Sequence, residues 1–163
     1  MTRRFLLFVV LIGFLNGCNR DDICTEDTPA TPLLIITFKD INDPTVAKSA
    51  TNLTIATLDD PSIAVLLSTT TDSIAIPLRT AADITQYNFV LNDIESQTPN
   101  IDLVSFNYMR ENVYVNRACA FKITYNQFSP SVQDEGAENW IQGFTIIKDT
   151  IENENEAHIT ILH

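Results

Sequence analysis

Residues 104–123 read VSFNYMRENVYVNRACAFKI, and the alternation within them decides the fold class. Val104, Phe106 and Tyr108 are separated by Ser105 and Asn107, so an extended chain places all three on one face. The polar pair Glu111-Asn112 predicts a turn, after which Val113, Val115, Cys119, Phe121 and Ile123 share a parity in the following strand. On that reading Cys119 faces inward. Arg117 falls on the same parity, which calls for a bulge near Asn116 or for a guanidinium held by a carboxylate.

The same period extends outward from this stretch. The chain holds 19 Ile and 19 Thr, residues whose branched Cβ suits a pleated surface and restricts a helix. Leu33 to Phe38 is apolar on both parities, as a strand covered on two sides would be, whereas Leu53, Ile55 and Thr57 alternate with Thr54 and Ala56. Ser62 to Val65 and Ser73 to Ile76 are similar pieces that predict the two arms of a hairpin. Pro77 cannot donate to a ladder, so the second arm is an edge or ends in a bulge. Tyr87, Phe89 and Leu91 share a parity before the polar run Asn92 to Asn100. Phe128 to Asn139 reads as a polar connection and Trp140 to Ile147 as a further apolar segment. Ala157, Ile159 and Ile161 then alternate with His158 and Thr160, which turns His158 outward, and Ile151 to Glu156 reads as a hairpin connection. Seven or eight strands without a long amphipathic helix predict an all-β domain, a two-sheet antiparallel sandwich of immunoglobulin-like or related Greek-key type.

The amino-terminal segment has a different composition. Met1 to Arg4 is basic and Phe5 to Leu15 is an apolar run of eleven, too short for a hydrocarbon core that needs roughly 20 residues. The run ends in Leu15-Asn16-Gly17-Cys18, which resembles the lipobox of bacterial lipoproteins, with Asn16 departing from the usual small residue. That resemblance implies a cleaved signal over residues 1–17 and acylation of Cys18, after which the charged composition reads as an extended tether over 18–32 and the strand pattern as a folded domain over 33–163. Two or three acyl chains anchor stably where one holds only marginally. Asn19-Arg20-Asp21-Asp22 resembles the export signals of Bacteroidota surface lipoproteins, which points to the outer membrane. The charge of −11 becomes −13 without Arg3 and Arg4, and so acidic a body repels nucleic acid.

Beyond Cys18 two cysteines remain, Cys24 and Cys119, and outside the cytoplasm one bridge between them is the economical expectation. The alternatives are a free thiol pair or a metal site, though two cysteines without a nearby histidine make a poor zinc set.

Catalytic chemistry finds little support. His158 and His163 are the only imidazoles, neither in a metalloprotease motif, and the glycines form no nucleophile elbow or phosphate loop. The adjacent acids Asp59-Asp60 and Asp134-Glu135 read as solvated turns. Asp40-Ile41-Asn42-Asp43 and the set Glu152, Glu154 and Glu156 offer oxygens to calcium, but neither completes a calcium loop. Asn52-Leu53-Thr54 matches a glycosylation acceptor by chance. Neither a cofactor nor a metal is expected. Among the aromatics Trp140, Tyr108, Tyr114 and Tyr125, the first two read as core, while Tyr114 lies opposite Val113 and Val115 and reads as exposed. Tyr114 and Trp140 are the candidate ligand contacts.

Four phrases carry a wider resemblance: Asp22-Ile23-Cys24 with Thr31-Pro32-Leu33, Asp72 to Leu78, Tyr114 to Lys122, and Ile151 to Ile159. Together they resemble a Bacteroidota lipoprotein family of unknown function. The resemblance implies an envelope location and supports pairing Cys24 with Cys119; it brings no activity or ligand. The expectation is a non-enzymatic, membrane-anchored module that binds or assembles with another envelope protein, the alternative being capture of a sugar or peptide.

Overall fold

The computed structural model describes residues 24–25, 28–60, 63–92, 94 and 98–163. The signal over 1–17, the acylated Cys18 and the acidic run to Asp22 lie outside the described residues.

Among the described residues nine strands form two sheets. They are β1 (Leu34–Lys39), β2 (Ala50–Thr57), β3 (Ala64–Thr71), β4 (Ser73–Ile76), β5 (Ile84–Leu91), β6 (Asn100–Asn116), β7 (Ala120–Val132), β8 (Gly143–Ile146) and β9 (Ile159–Leu162). One sheet runs β4-β1-β9-β8 and the other β3-β2-β5-β6-β7. The core lies between them. Leu34, Ile36 and Phe38 of β1, Ile74 and Ile76 of β4, and Ile159 and Ile161 of β9 meet Leu53 and Ile55 of β2, Tyr87 and Phe89 of β5, and Val104, Phe106 and Tyr108 of β6. The all-β sandwich inferred from alternation is the observed architecture.

Four local expectations are corrected. β1 and β9 run parallel, with Ile36 opposite Ile159, so the first sheet is mixed and not purely antiparallel. The predicted hairpin between Ser62–Val65 and Ser73–Ile76 does not form: β3 pairs with β2, β4 pairs with β1, and the chain changes sheet at Asp72, whose carbonyl accepts from the Phe38 amide at 2.9 Å. β4 is an edge strand ending before Pro77, as a residue without an amide donor requires.

The polar pair Glu111-Asn112 makes no turn. β6 continues through it to Asn116, and the chain reverses over Arg117 to Cys119. The parity changes there because β5 pairs with β6 only as far as Ile84 opposite Asn107, and past the core neither face of the strand has to be apolar. Phe128 likewise belongs to β7 and not to a polar connection. Asn107 faces Ser129 but Met109 faces Asn126, so β7 holds one extra residue, at Gln127, whose φ is 53°. This bulge lets Tyr125 and Phe128, three apart, both point into the core.

Candidate functional site

The most distinctive surface is the outer half of the β6–β7 hairpin. From Met109 to Asn116 on β6 and from Ala120 to Asn126 on β7, the two strands pair with each other beyond the end of β5, and outward of the buried Thr124 and Tyr125 they form an arm. At its tip the Asn116 side-chain oxygen accepts from the amides of Ala118 at 2.9 Å and Cys119 at 2.8 Å, an Asx turn that sets the reversal. Ala120 follows with a φ of 57°. Arg117 is exposed on this turn, and the register shifts between Tyr114 and Asn116, which matches the bulge, one of the two arrangements its parity allowed.

Cys119 is half-buried on the turn, where it meets the amino-terminal segment instead of facing the core. It is bridged to Cys24 with the Cα atoms 5.1 Å apart, across 95 residues of sequence. The Thr31 hydroxyl also accepts from the Ile123 amide at 3.0 Å, so the segment is fixed to the arm twice. Thr28 and Pro29 line one side of an open groove of about 500 Å³ whose other side is Val113, Tyr114, Val115, Asn116 and Lys122. Tyr114 faces Phe121 across the strands, the rings 5.5 Å apart and edge to face, and the two are 60% and 61% exposed.

The other aromatic candidates are structural. Trp140 is buried and its indole N–H donates to the Phe89 carbonyl at 3.1 Å, so it offers no ligand contact. Tyr108 and Tyr125 are core residues with rings 4.8 Å apart. Together with Tyr87 they hold the chain between β4 and β5: Tyr87 donates to the Pro77 carbonyl at 2.9 Å, Tyr125 to Leu78 at 3.2 Å and Tyr108 to Arg79 at 2.9 Å. The Arg79 amide donates back to Thr85 Oγ1 at 2.7 Å. Since the single Tyr108 proton is committed, the 2.6 Å contact has Thr85 donating to Tyr108, and the ring of bonds closes. Sequence parity aligned Tyr87 and Tyr108 with the core but left Tyr125 unplaced, and it carried no sign of their shared partner.

His158 does not point outward. It is 1% exposed, because β9 is flanked on both sides and its outer face is covered by the 153–156 loop. The Ile35 amide donates to Nδ1 at 3.0 Å, so the proton sits on Nε2 and is donated to the Asn153 carbonyl at 3.0 Å. Burial lowers the pKa of His158, and of His163 as well. Both rings are tied into the fold; His163 packs edge-on against Phe38 and Trp140 and bonds the Lys48 carbonyl at 3.1 Å.

The acidic candidates are engaged locally. Asp40 accepts from the Asn42 amide at 2.7 Å and Asp43 from Thr45 Oγ1 at 2.6 Å, bonds that hold both carboxyls below their ordinary range. Glu154 accepts from the Leu33 amide at 2.9 Å, Glu156 pairs with Lys148 and Asp59 with Arg79. Asp134 caps the Gly136 amide at 2.8 Å. Among the described residues no three His, Cys, Asp or Glu side chains group as metal ligands. Asp102, which no sequence signal marked, is fully buried on β6; its Oδ2 accepts from the Ile141 amide at 2.8 Å, while Oδ1 has no hydrogen-bond partner among the described residues. A cleft of about 460 Å³ beside this segment is lined by Val132, Asp134, Gly136, Asn139, Ile141 and Gln142 among others, none aromatic.

Two sheet edges complete the surface. The outer side of β7 is partly covered, since Tyr125 exchanges both backbone bonds with Ile151 and the Phe128 amide reaches the Asp149 carbonyl at 2.9 Å. At the opposite edge β3 pairs with β2 alone among the described strands; its sequence AVLLSTTT has no charge and no proline, and Leu67 is 77% exposed.

These features define a two-sheet β-sandwich carrying a disulfide-clamped hairpin arm. The chain belongs to a family of unknown function, DUF6452, whose profile matches residues 52–163, from β2 through β9. Cys119 lies inside that match and Cys24 before it. No curated protein and no solved structure matches the chain.

Proposed function

We propose that the chain is a Bacteroidota lipoprotein, held in the outer membrane by acyl chains on Cys18, that binds another envelope protein and performs no catalysis. The observation that carries the binding role is the β3 edge. β3 is an eight-residue edge strand without lysine, proline or inward charge, and between the register shifts that interrupt its pairing with β2 a partner strand can add to it through backbone bonds. Leu67 gives such a partner an apolar anchor. Capture of a sugar or peptide is less well supported, because the aromatic expected to line a pocket, Trp140, is spent in the core.

A photoreactive residue at Leu67, activated in intact cells, is expected to yield one discrete adduct with an envelope protein. Leu67→Lys, which adds a charge of the kind that protects natural edges, is expected to abolish the association while leaving stability unchanged. No adduct at Leu67, or an adduct indifferent to the lysine variant, would count against the reading.

A further inference from the structure

We infer that the hairpin arm is a membrane-contacting element, which seats Tyr114 and Phe121 in the headgroup region of a phospholipid bilayer. The inference rests on the acylation of Cys18 proposed above. Cys24 is six positions after Cys18, and at 3.3–3.6 Å per step the chain between them spans at most about 22 Å. Cys24 is bonded to Cys119 on the arm's turn, so the tip is leashed to the anchor within that distance. Tyr114 and Phe121 stand one pair of residues back from the turn, roughly 7 Å along the strands.

The chemistry of the arm suits that position. Residues 112–123 contain Arg117 and Lys122 and no acid, in a chain whose charge beyond Cys18 is −13. Asp21, Asp22, Glu26 and Asp27 lie within three residues of Cys24 in sequence and offset these cations, so the short leash and the exposed rings, not net charge, orient the domain with its tip down. Arg117 is exposed, and the Lys122 ammonium donates to the Glu152 carbonyl at 2.9 Å. Exposed aromatic rings beside basic residues are the composition that settles at the membrane–water interface. The β3 edge lies at the other side of the five-stranded sheet, away from the arm.

The test uses full-length protein purified from membranes and returned to vesicles of phosphatidylethanolamine and phosphatidylglycerol, with flotation and fluorescence read on the same sample. Tyr114→Trp and, as a second placement, Phe121→Trp add an indole at the arm over the constant emission of buried Trp140. The expected result is co-flotation, a blue shift of the added emission and its quenching by lipids brominated near the headgroup. Replacing Cys24 and Cys119 together by serine lengthens the leash from six residues to the thirteen that lead to Thr31, and should lose most of the quenching without loss of flotation. Flotation with no quenching at either position would overturn the arm contact and leave the anchor standing. Failure to float would overturn both. A blue shift that grows with protein concentration in the absence of vesicles would assign the aromatic pair to a second copy of the chain and overturn the lipid contact.

Discussion

The Tyr125 hydroxyl donates to the Leu78 carbonyl at 3.2 Å across 47 residues, tying the last strand pair of one sheet to the segment that enters it from the other. Tyr87 and Tyr108 hold the carbonyls on either side, so three side chains from β5, β6 and β7 fix three consecutive peptides. Leu78 is buried, and its carbonyl has no water to replace a lost donor. Tyr125→Phe is therefore expected to cost about 1–3 kcal/mol in chemical denaturation, the penalty of stranding a buried acceptor. Tyr87→Phe, by the same physics but at a less enclosed site, should cost less.

Burial and the neighbouring Tyr108 hydroxyl push the Tyr125 pKa up to about 12, and burial raises those of Tyr87 and Tyr108. The native state thus holds these protons more tightly than the unfolded chain, whose tyrosines titrate near 10. Stability is full below pH 10 and is expected to fall as the pH rises from there through 12. Tyr125→Phe should flatten that fall, as followed by denaturation midpoints across the alkaline range.

At the acid end His158 acts with the opposite sign. Its lowered pKa means that the unfolded chain takes up a proton first, so stability should decline as the pH drops below 6.5 and level off for this group once the native ring is protonated. Protonation places an N–H on Nδ1 against the Ile35 amide. His158→Gln should remove part of the decline between pH 6.5 and 5, and His163→Gln a further part.

The fold class was legible because alternation survives wherever a strand faces the core, as in Leu34, Ile36 and Phe38 or in Val104, Phe106 and Tyr108. It failed where burial does not impose a period. Past Tyr108 the arm leaves the core, and the residues there alternate without reference to it. At Gln127 a bulge shifts the count by one and disguised Phe128 as part of a loop. His158 was misplaced because period-2 reasoning assigns polar residues to solvent, whereas a strand flanked on both sides can bury an imidazole when both nitrogens find backbone partners. Of the site residues, Tyr114 was identifiable by its parity and Cys24 and Cys119 by their number. The charge-free edge of β3 was not, since which strand ends a sheet is a property of topology.

Opening the Cys24–Cys119 bridge frees a loop of 95 residues in the unfolded chain, so reduction, or serine at both positions, is expected to cost at most about 4.7 kcal/mol. The loss should appear as a lower midpoint at unchanged secondary structure by far-ultraviolet circular dichroism, because the strands of both sheets pair without the bridge's help.

Ala120 closes the arm's turn in the left-handed region, with a φ of 57°, which a Cβ disfavours by about 1–2 kcal/mol. Ala120→Gly is expected to raise stability by up to about 1 kcal/mol once the glycine's greater unfolded freedom is offset. Asn116→Ala removes the acceptor for two turn amides and should lower it by a similar amount.

Intact-mass analysis of the protein extracted from its native membrane tests the central proposal most directly. The expected species starts at Cys18, carries two or three acyl chains, and fails to react with thiol reagents until reduced. A chain that keeps Met1, or one that presents Cys24 and Cys119 as free thiols before reduction, would contradict it.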